Sequence, residues 1–228
     1  MTRETYTMLE NYMRSCMTDI AHDKEHIYRV LYRALEIAEE EPGTDYDVLI
    51  AACLLHDIGR QEQFENPKVC HAEAGAKKAY AFLKGQGFSE DFAKRVSDCI
   101  QTHSYRKGKR PESIEGKILF DADKIDVAGA VGIARTLIYK GQVSEPLYTL
   151  KEDGLVSDGE GDREPSFFQE YKFKLEGLYA GFLTKKGAEL ARERQKAAED
   201  FYNSMLKEVS EAYRTGKKLL DKAIDETE

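Results

Sequence analysis

Tryptophan is absent, proline occurs five times in 228 residues, and no apolar run approaches the roughly twenty residues needed to cross a bilayer. The longest, Val48 to Leu55, stops well short of that. Cysteine is sparse as well. Cys16, Cys53, Cys70 and Cys99 are widely spaced with no C-x-x-C pair, a pattern that suits neither a zinc knuckle nor a disulfide framework, so they read as buried thiols. Positive charge is in deficit, with 34 Lys and Arg against 42 Asp and Glu, a formal charge of -8. A general nucleic-acid or anionic-membrane binder is thereby excluded, because nothing offsets repulsion from a phosphate backbone. Any anionic substrate needs a local cation. The first residues carry no basic stretch followed by an apolar run, and the expectation is a cytoplasmic protein that does not enter a membrane.

The prolines that are present are informative. Pro42, Pro67, Pro111, Pro146 and Pro165 all fall between segments of helical periodicity, so the chain parses as all-α, a single domain over 1–228. Two helices are expected within residues 3–41, broken at Thr18 to Asp23. A central helix capped by Thr44 or Asp45 runs to Ile58, and helices follow at about Cys70 to Lys84 and Ser89 to Thr102. A short apolar segment, Ile118 to Phe120, leads into Asp121 to Asp126 and a helix reaching about Lys140. The segment 141–165 has four glycines, two prolines and seven acidic residues; it reads as a flexible acidic loop with room for a hairpin around Leu147 to Val156 and is placed to close over a substrate. C-terminal helices are expected at 166–182 and 184–213, then a polar tail over 214–228.

The chemistry gathers around VLIAACLLHDIGR, residues 48–60. An apolar helix buried on all sides ends in His56 and Asp57, with Gly59 as its stop, so an imidazole and a carboxylate meet at the edge of the core. The five histidines, His22, His26, His56, His71 and His103, all lie in the first half and near expected helix ends. Two or three imidazoles, Asp57 and one carboxylate from Asp121 to Asp126 would make a mixed nitrogen and oxygen site. Such a site suits a divalent ion of the manganese, iron, cobalt or nickel kind, with magnesium also open, better than structural zinc.

His26-x-x-Arg29-Val30, His56-Asp57-Ile58-Gly59 and Asp121-Ala122-Asp123, taken in order, resemble the HD superfamily of metal-dependent phosphohydrolases over roughly residues 18–140. Lys174-Leu175, Thr184-x-x-Gly187, Leu190-Ala191-x-x-Arg194 and Phe201 resemble the tail of its small bacterial, nucleotide pyrophosphohydrolase-like branch. The resemblance implies an HD-domain helical bundle with metal ligands at His26, His56, Asp57 and Asp123, and a water activated between Asp57, Asp123 and the ion. It makes His22 with Asp23 a decoy pair. His71 and His103 match positions that hold a second metal in binuclear relatives and face substrate phosphates in mononuclear ones. Arg29, Arg60 and Lys124 are candidates either to offset phosphate charge or to pair with carboxylates. Relatives that cleave nucleoside monophosphates often have glutamate where Arg60 stands, which points away from that activity. The implied substrate is a small phosphorylated molecule, a nucleotide or related phosphoanhydride. A binuclear phosphodiesterase and a non-catalytic metal-holding interaction module are the alternatives, and oligomeric state is open.

Overall fold

The computed structural model describes residues 1–17, 24–104 and 110–225. Those residues are helical without strands, as the sequence requires. The helices are α1 (Arg3–Cys16), α2 (Lys24–Ala38), α3 (Tyr46–Leu55), α4 (Arg60–Glu65), α5 (His71–Gly85), α6 (Glu90–Thr102), α7 (Ile114–Ile125), α8 (Gly129–Gln142), α9 (Phe167–Glu170) and α10 (Lys185–Asp225). The expected break at Thr18 to Asp23 lies outside the described residues. Contacts divide the chain into two compact units, one of Met1–Asp126 with Phe182–Glu189 and one of Val127–Gly181 with Leu190–Glu228. None of the described helices is long and apolar enough to cross a membrane.

In the first unit α3 is the axis. Val48, Leu49, Ala51, Ala52, Cys53, Leu54 and Leu55 are all buried, which follows from a helix with no polar face. It packs against α1, α2, α6 and α7. Each fully buried leucine there contributes about 1.5 to 3 kcal/mol relative to exposure. Asp45 caps it, accepting from the amides of Asp47 and Val48, and Arg95 holds the cap's other oxygen at 2.8 Å. Of the cysteines expected to be buried, Cys53 and Cys99 are, while Cys16 and Cys70 are half-exposed.

Two local expectations change. The central helix ends at Leu55 rather than Ile58, and the chain turns through His56 to Gly59 directly into α4. Gly59 is needed there for proximity, not for a left-handed backbone: a Cβ would lie 2.3 Å from the His71 carbonyl and 2.4 Å from the Gly75 amide nitrogen. That approach presses the His-Asp turn onto the start of α5 and brings His71 beside it. The Asp121–Asp126 run, in turn, occupies the last turns of α7 instead of opening a helix, and the chain breaks before α8 begins at Gly129. Asp121 accepts from the backbone amides of Leu183 and Thr184 and from the Thr184 hydroxyl, at 2.7 to 3.0 Å. It therefore satisfies amides just ahead of α10 that would otherwise be orphaned.

The second unit is built around Ile133, Val156, Phe167, Phe168, Tyr171, Leu175, Ala198 and Tyr202. Tyr171 and Tyr202 stack with centroids 4.0 Å apart. The acidic segment read as flexible is tied to this core. Leu150 bridges Val156, which puts the hairpin where it was expected, and Asp162 accepts from the Thr149 and Ser157 hydroxyls. Tyr202 donates to the Asp158 carbonyl. The helix expected over 166–182 is interrupted: α9 passes into a π-turn at Tyr171–Leu175 and a 3-10 turn at Leu178–Ala180. The expected polar tail is helical to Asp225, because apart from Gly216 its residues are ordinary helix formers.

Gly59→Ala should cost about 1 to 3 kcal/mol, since backbone atoms, unlike side chains, cannot move aside. For a chain of this size that is a fall in Tm of roughly 2 to 12 °C. Gly85→Ala, with nothing within 4 Å of the added methyl, should leave Tm unchanged or slightly raised. Calorimetry giving both variants the same Tm would contradict the close approach.

Candidate metal centre

All the histidines in the described residues lie in the first unit at helix ends. His26 is in the first turn of α2, His56 and Asp57 follow α3, His71 opens α5, His103 closes α6, and Asp123 is in the last turn of α7. His26, His56, Asp57, His71 and His103 are buried; Asp123 is one-quarter exposed at its side chain.

Adjacent helical residues point about 100° apart, so Asp123 and Asp126, three apart, lie within about 60° of each other, while Asp121 points away from both. The structure follows this rule. Asp121 faces Leu183 and Thr184, and Asp123 and Asp126 face His26. His26 Nδ1 donates to Asp126 Oδ2 at 2.7 Å, which leaves Nε2 pointing inward. His56 reaches the same result differently. As the residue closing α3 it donates from Nδ1 to the Cys53 carbonyl at 2.8 Å, an otherwise unpaired helix-end acceptor.

The two Nε2 atoms are 3.3 Å apart. Around them lie Asp123 Oδ1, 3.2 Å from His26 and 3.8 Å from His56, and Asp57 Oδ2, 3.6 and 3.7 Å from the same atoms. Donors at right angles, about 2.1 Å from a common ion, are about 3 Å apart, so this spacing is near that of an ion's ligands. The four residues expected as ligands are thus brought together.

Asp57 has a second neighbourhood. Its Oδ1 accepts from Arg60 Nε at 2.9 Å and lies 3.7 and 3.6 Å from the Nε2 atoms of His71 and His103. One oxygen therefore serves each side. The donor atoms of His26, His56 and Asp123, and separately those of Asp57, His71 and His103, lie within 4.8 Å of one another, and each group could hold a metal ion.

The electrostatics follow from burial and these contacts. Burial works against ionisation of Asp57, but Arg60 and the surrounding imidazoles hold it well below the usual carboxylate range; Asp123 is depressed in the same way, chiefly by His26. Burial also opposes charge on His26, yet hydrogen bonds to Asp123, Asp126 and Asp57 prevail and raise it to about 10. His56, lacking such a carboxylate bond, is pushed by burial down to about 4. His71 falls to about 3 through burial and the adjacent Arg60 guanidinium.

The cations expected near phosphate have other partners as well. Arg29 makes a two-point contact with Asp126, at 2.7 and 3.1 Å, and so stands behind His26. Arg60 binds Asp57, and the Lys124 ammonium lies over the rings of Phe120 and Phe182. His22 lies outside the described residues. Sequence reasoning missed Asp126. The available signal was its helical spacing from Asp123, together with the spacing of His26 and Arg29, both of which bind it.

The HD domain family model matches residues 24–128, the stretch that contains every residue of this cluster. The uncharacterized protein YpgQ of Bacillus subtilis (strain 168) is 30% identical over 207 residues, covering 88% of this chain and 92% of its own. A Lactobacillus plantarum protein of known structure superposes with TM-score 0.71 at 25% identity, over 91% of this chain and 97% of its own. Bacillus subtilis YpgQ, solved in complex with ADP, gives TM-score 0.70 at 27% identity over 90% and 97%. A predicted HD superfamily hydrolase from an uncultured Thermotogales bacterium gives 0.59 at 30% identity over 89% and 91%. The motifs, the helical frame and the relatives agree, and this chain belongs to the HD domain superfamily.

Proposed function

We propose that this chain is a divalent-metal-dependent phosphohydrolase acting on nucleotides or a related phosphoanhydride, with His26, His56, Asp57 and Asp123 as the ligands of one ion. The observation that carries the reading is the convergence of two Nε2 atoms and two carboxylate oxygens in a buried site, both imidazoles having their Nδ1 protons committed elsewhere. Two imidazoles, two carboxylates and no thiolate favour manganese, iron, cobalt or nickel over structural zinc, and over magnesium, which prefers oxygen. An ion held there supplies Lewis acidity and lowers the pKa of bound water. The ADP complex of the relative YpgQ supports a nucleotide as substrate. A small phosphorylated solute and no membrane fit a cytoplasmic setting.

The chain's own groups have separable tasks. Asp126 and the Cys53 carbonyl fix the imidazole tautomers, and Arg29 compensates Asp126. His71 and His103 border the site on the side of Asp57 Oδ1 and are placed to meet substrate oxygens. A binuclear phosphodiesterase is the second reading, favoured by the Asp57, His71 and His103 group.

Metal-reconstituted protein screened against nucleotides and phosphodiesters, with products identified by mass, tests the activity. His56→Ala and Asp57→Ala should lose both the ion and hydrolysis, with kcat/KM down at least about a thousandfold, whereas His22→Ala should keep its metal. A His22→Ala protein as empty as His56→Ala would remove His26 from the ligand set. Asp126→Asn should weaken metal binding by about 10- to 100-fold, read by chelator competition, because it withdraws the charged acceptor behind His26.

A pH dependence follows from His26. In the metal-free protein its raised pKa keeps a proton there throughout the neutral range, and that proton must leave when Nε2 binds an ion. Between pH 6 and 8 affinity should therefore rise about tenfold per unit. Calorimetry in buffers of different ionisation enthalpy should count close to one proton released per ion; no release would refute the exchange.

A further inference from the structure

His71 and His103 are buried beside a carboxylate, form the second group able to hold an ion, and are not used as ligands in the one-metal reading. Their hydrogen bonds run in a single direction. His103 Nδ1 lies 2.6 Å from the Ile100 carbonyl, which can only accept, so Nδ1 carries a proton and, in the neutral ring, Nε2 presents a lone pair. His71 Nε2 lies 3.3 Å from that lone pair. On its other side, His71 Nδ1 lies 3.4 Å from Arg60 Nη1, and a guanidinium can only donate. Both contacts assign the same tautomer to His71, with the proton on Nε2. The chain of donors runs from Arg60 to His71 to His103 to the helix-end carbonyl.

A second ion needs something else. It requires lone pairs on both Nε2 atoms and a free site on Asp57 Oδ1. Freeing His71 Nε2 would move its proton to Nδ1, where it would face the guanidinium donor, and Asp57 Oδ1 already accepts from Arg60 Nε at 2.9 Å. The guanidinium also adds a positive charge where a dication would bind.

Building on the metal reading above, we propose that Arg60 is the positioning residue that limits this centre to one ion: by donating to Asp57 Oδ1 and His71 Nδ1, it turns His71 into a hydrogen-bond donor facing the site. Gly59 fixes the arrangement, since its close approach to the His71 carbonyl sets the start of α4 against the start of α5. His71 then holds its Nε2 proton toward His103 Nε2 and beside Asp57 Oδ1, where a metal-bound imidazole would have to present a lone pair.

The test is metal stoichiometry. Protein stripped by chelation, loaded with excess manganese(II) and desalted should hold one ion per chain as wild type and two as Arg60→Gln, whose amide oxygen can accept the proton that His71 must place on Nδ1. Arg60→Gln/His71→Ala should return to one. Electron paramagnetic resonance should show an isolated manganese signal in wild type and an exchange-coupled pair only in Arg60→Gln. Wild type with two ions, or a folded Arg60→Gln with one, overturns the proposal. A wild type that retains no ion instead overturns the metal reading. Nitrogen-15 NMR of the metal-free wild type decides the Arg60 assignment without any variant: His71 protonated on Nε2 and His103 on Nδ1 supports it, and His71 protonated on Nδ1 refutes it.

Discussion

A carboxylate at the end of the most apolar helix in the chain sets the problem that the surrounding residues solve. Asp57 is 3% exposed and ionised, and an ionised carboxylate in such a place is tolerated only with partners for both oxygens. Those partners come from four other helices, α2, α4, α5 and α6. His26 from α2 and Arg60 from α4 are close at hand, and α5 and α6 bring His71 and His103. The apolar run that makes α3 the core axis is also what makes its terminal charge expensive. Core and site are therefore one construction.

The same economy governs the imidazoles. A histidine that ends a helix finds a helix-end carbonyl three residues back, and both His56 and His103 use it to hold the ring and aim Nε2 inward. His26 begins a helix, where free carbonyls are absent, and takes its anchor from Asp126 instead. This accounts for the difference in charge state. Burial, with no carboxylate hydrogen bond to oppose it, leaves His56 neutral, whereas the carboxylates bonded to His26 keep that ring protonated.

Much of this was legible in the sequence, for physical reasons that can be named. The eight-residue apolar run and the proline positions pointed to the helical class, and the resemblance of the His-Asp motifs to the HD superfamily implied the four proposed ligands. What the sequence could not show was direction. Three carboxylates at 121, 123 and 126 are interchangeable as composition, and only the placement of α7 between α2 and the start of α10 sends Asp123 and Asp126 to His26 and Asp121 to the Leu183 and Thr184 amides. Reading the run as the start of a helix, not its end, hid that division. The acidic segment 141–165 carries anchors that its glycine and acid content does not reveal: Gly159, at φ +91°, packs where a Cβ would strike the Phe168 backbone, and Asp162 is bound by two hydroxyls.

The charge balance of the centre connects its two states. Asp57, Asp123 and Asp126 face Arg29 and Arg60, leaving one negative charge uncompensated, and the proton on His26 supplies the missing positive charge. Exchanging that proton for a divalent ion moves the balance from neutral to one positive. A chain with formal charge -8 would repel a polyanionic solute at long range, so attraction has to arise at short range and in low dielectric, where a single net charge acts strongly. On this account the buried carboxylates do more than offer ligands to the proposed ion. They leave the metal-free site neutral, and an ion held there would make it cationic, as the proposed phosphorylated substrate requires.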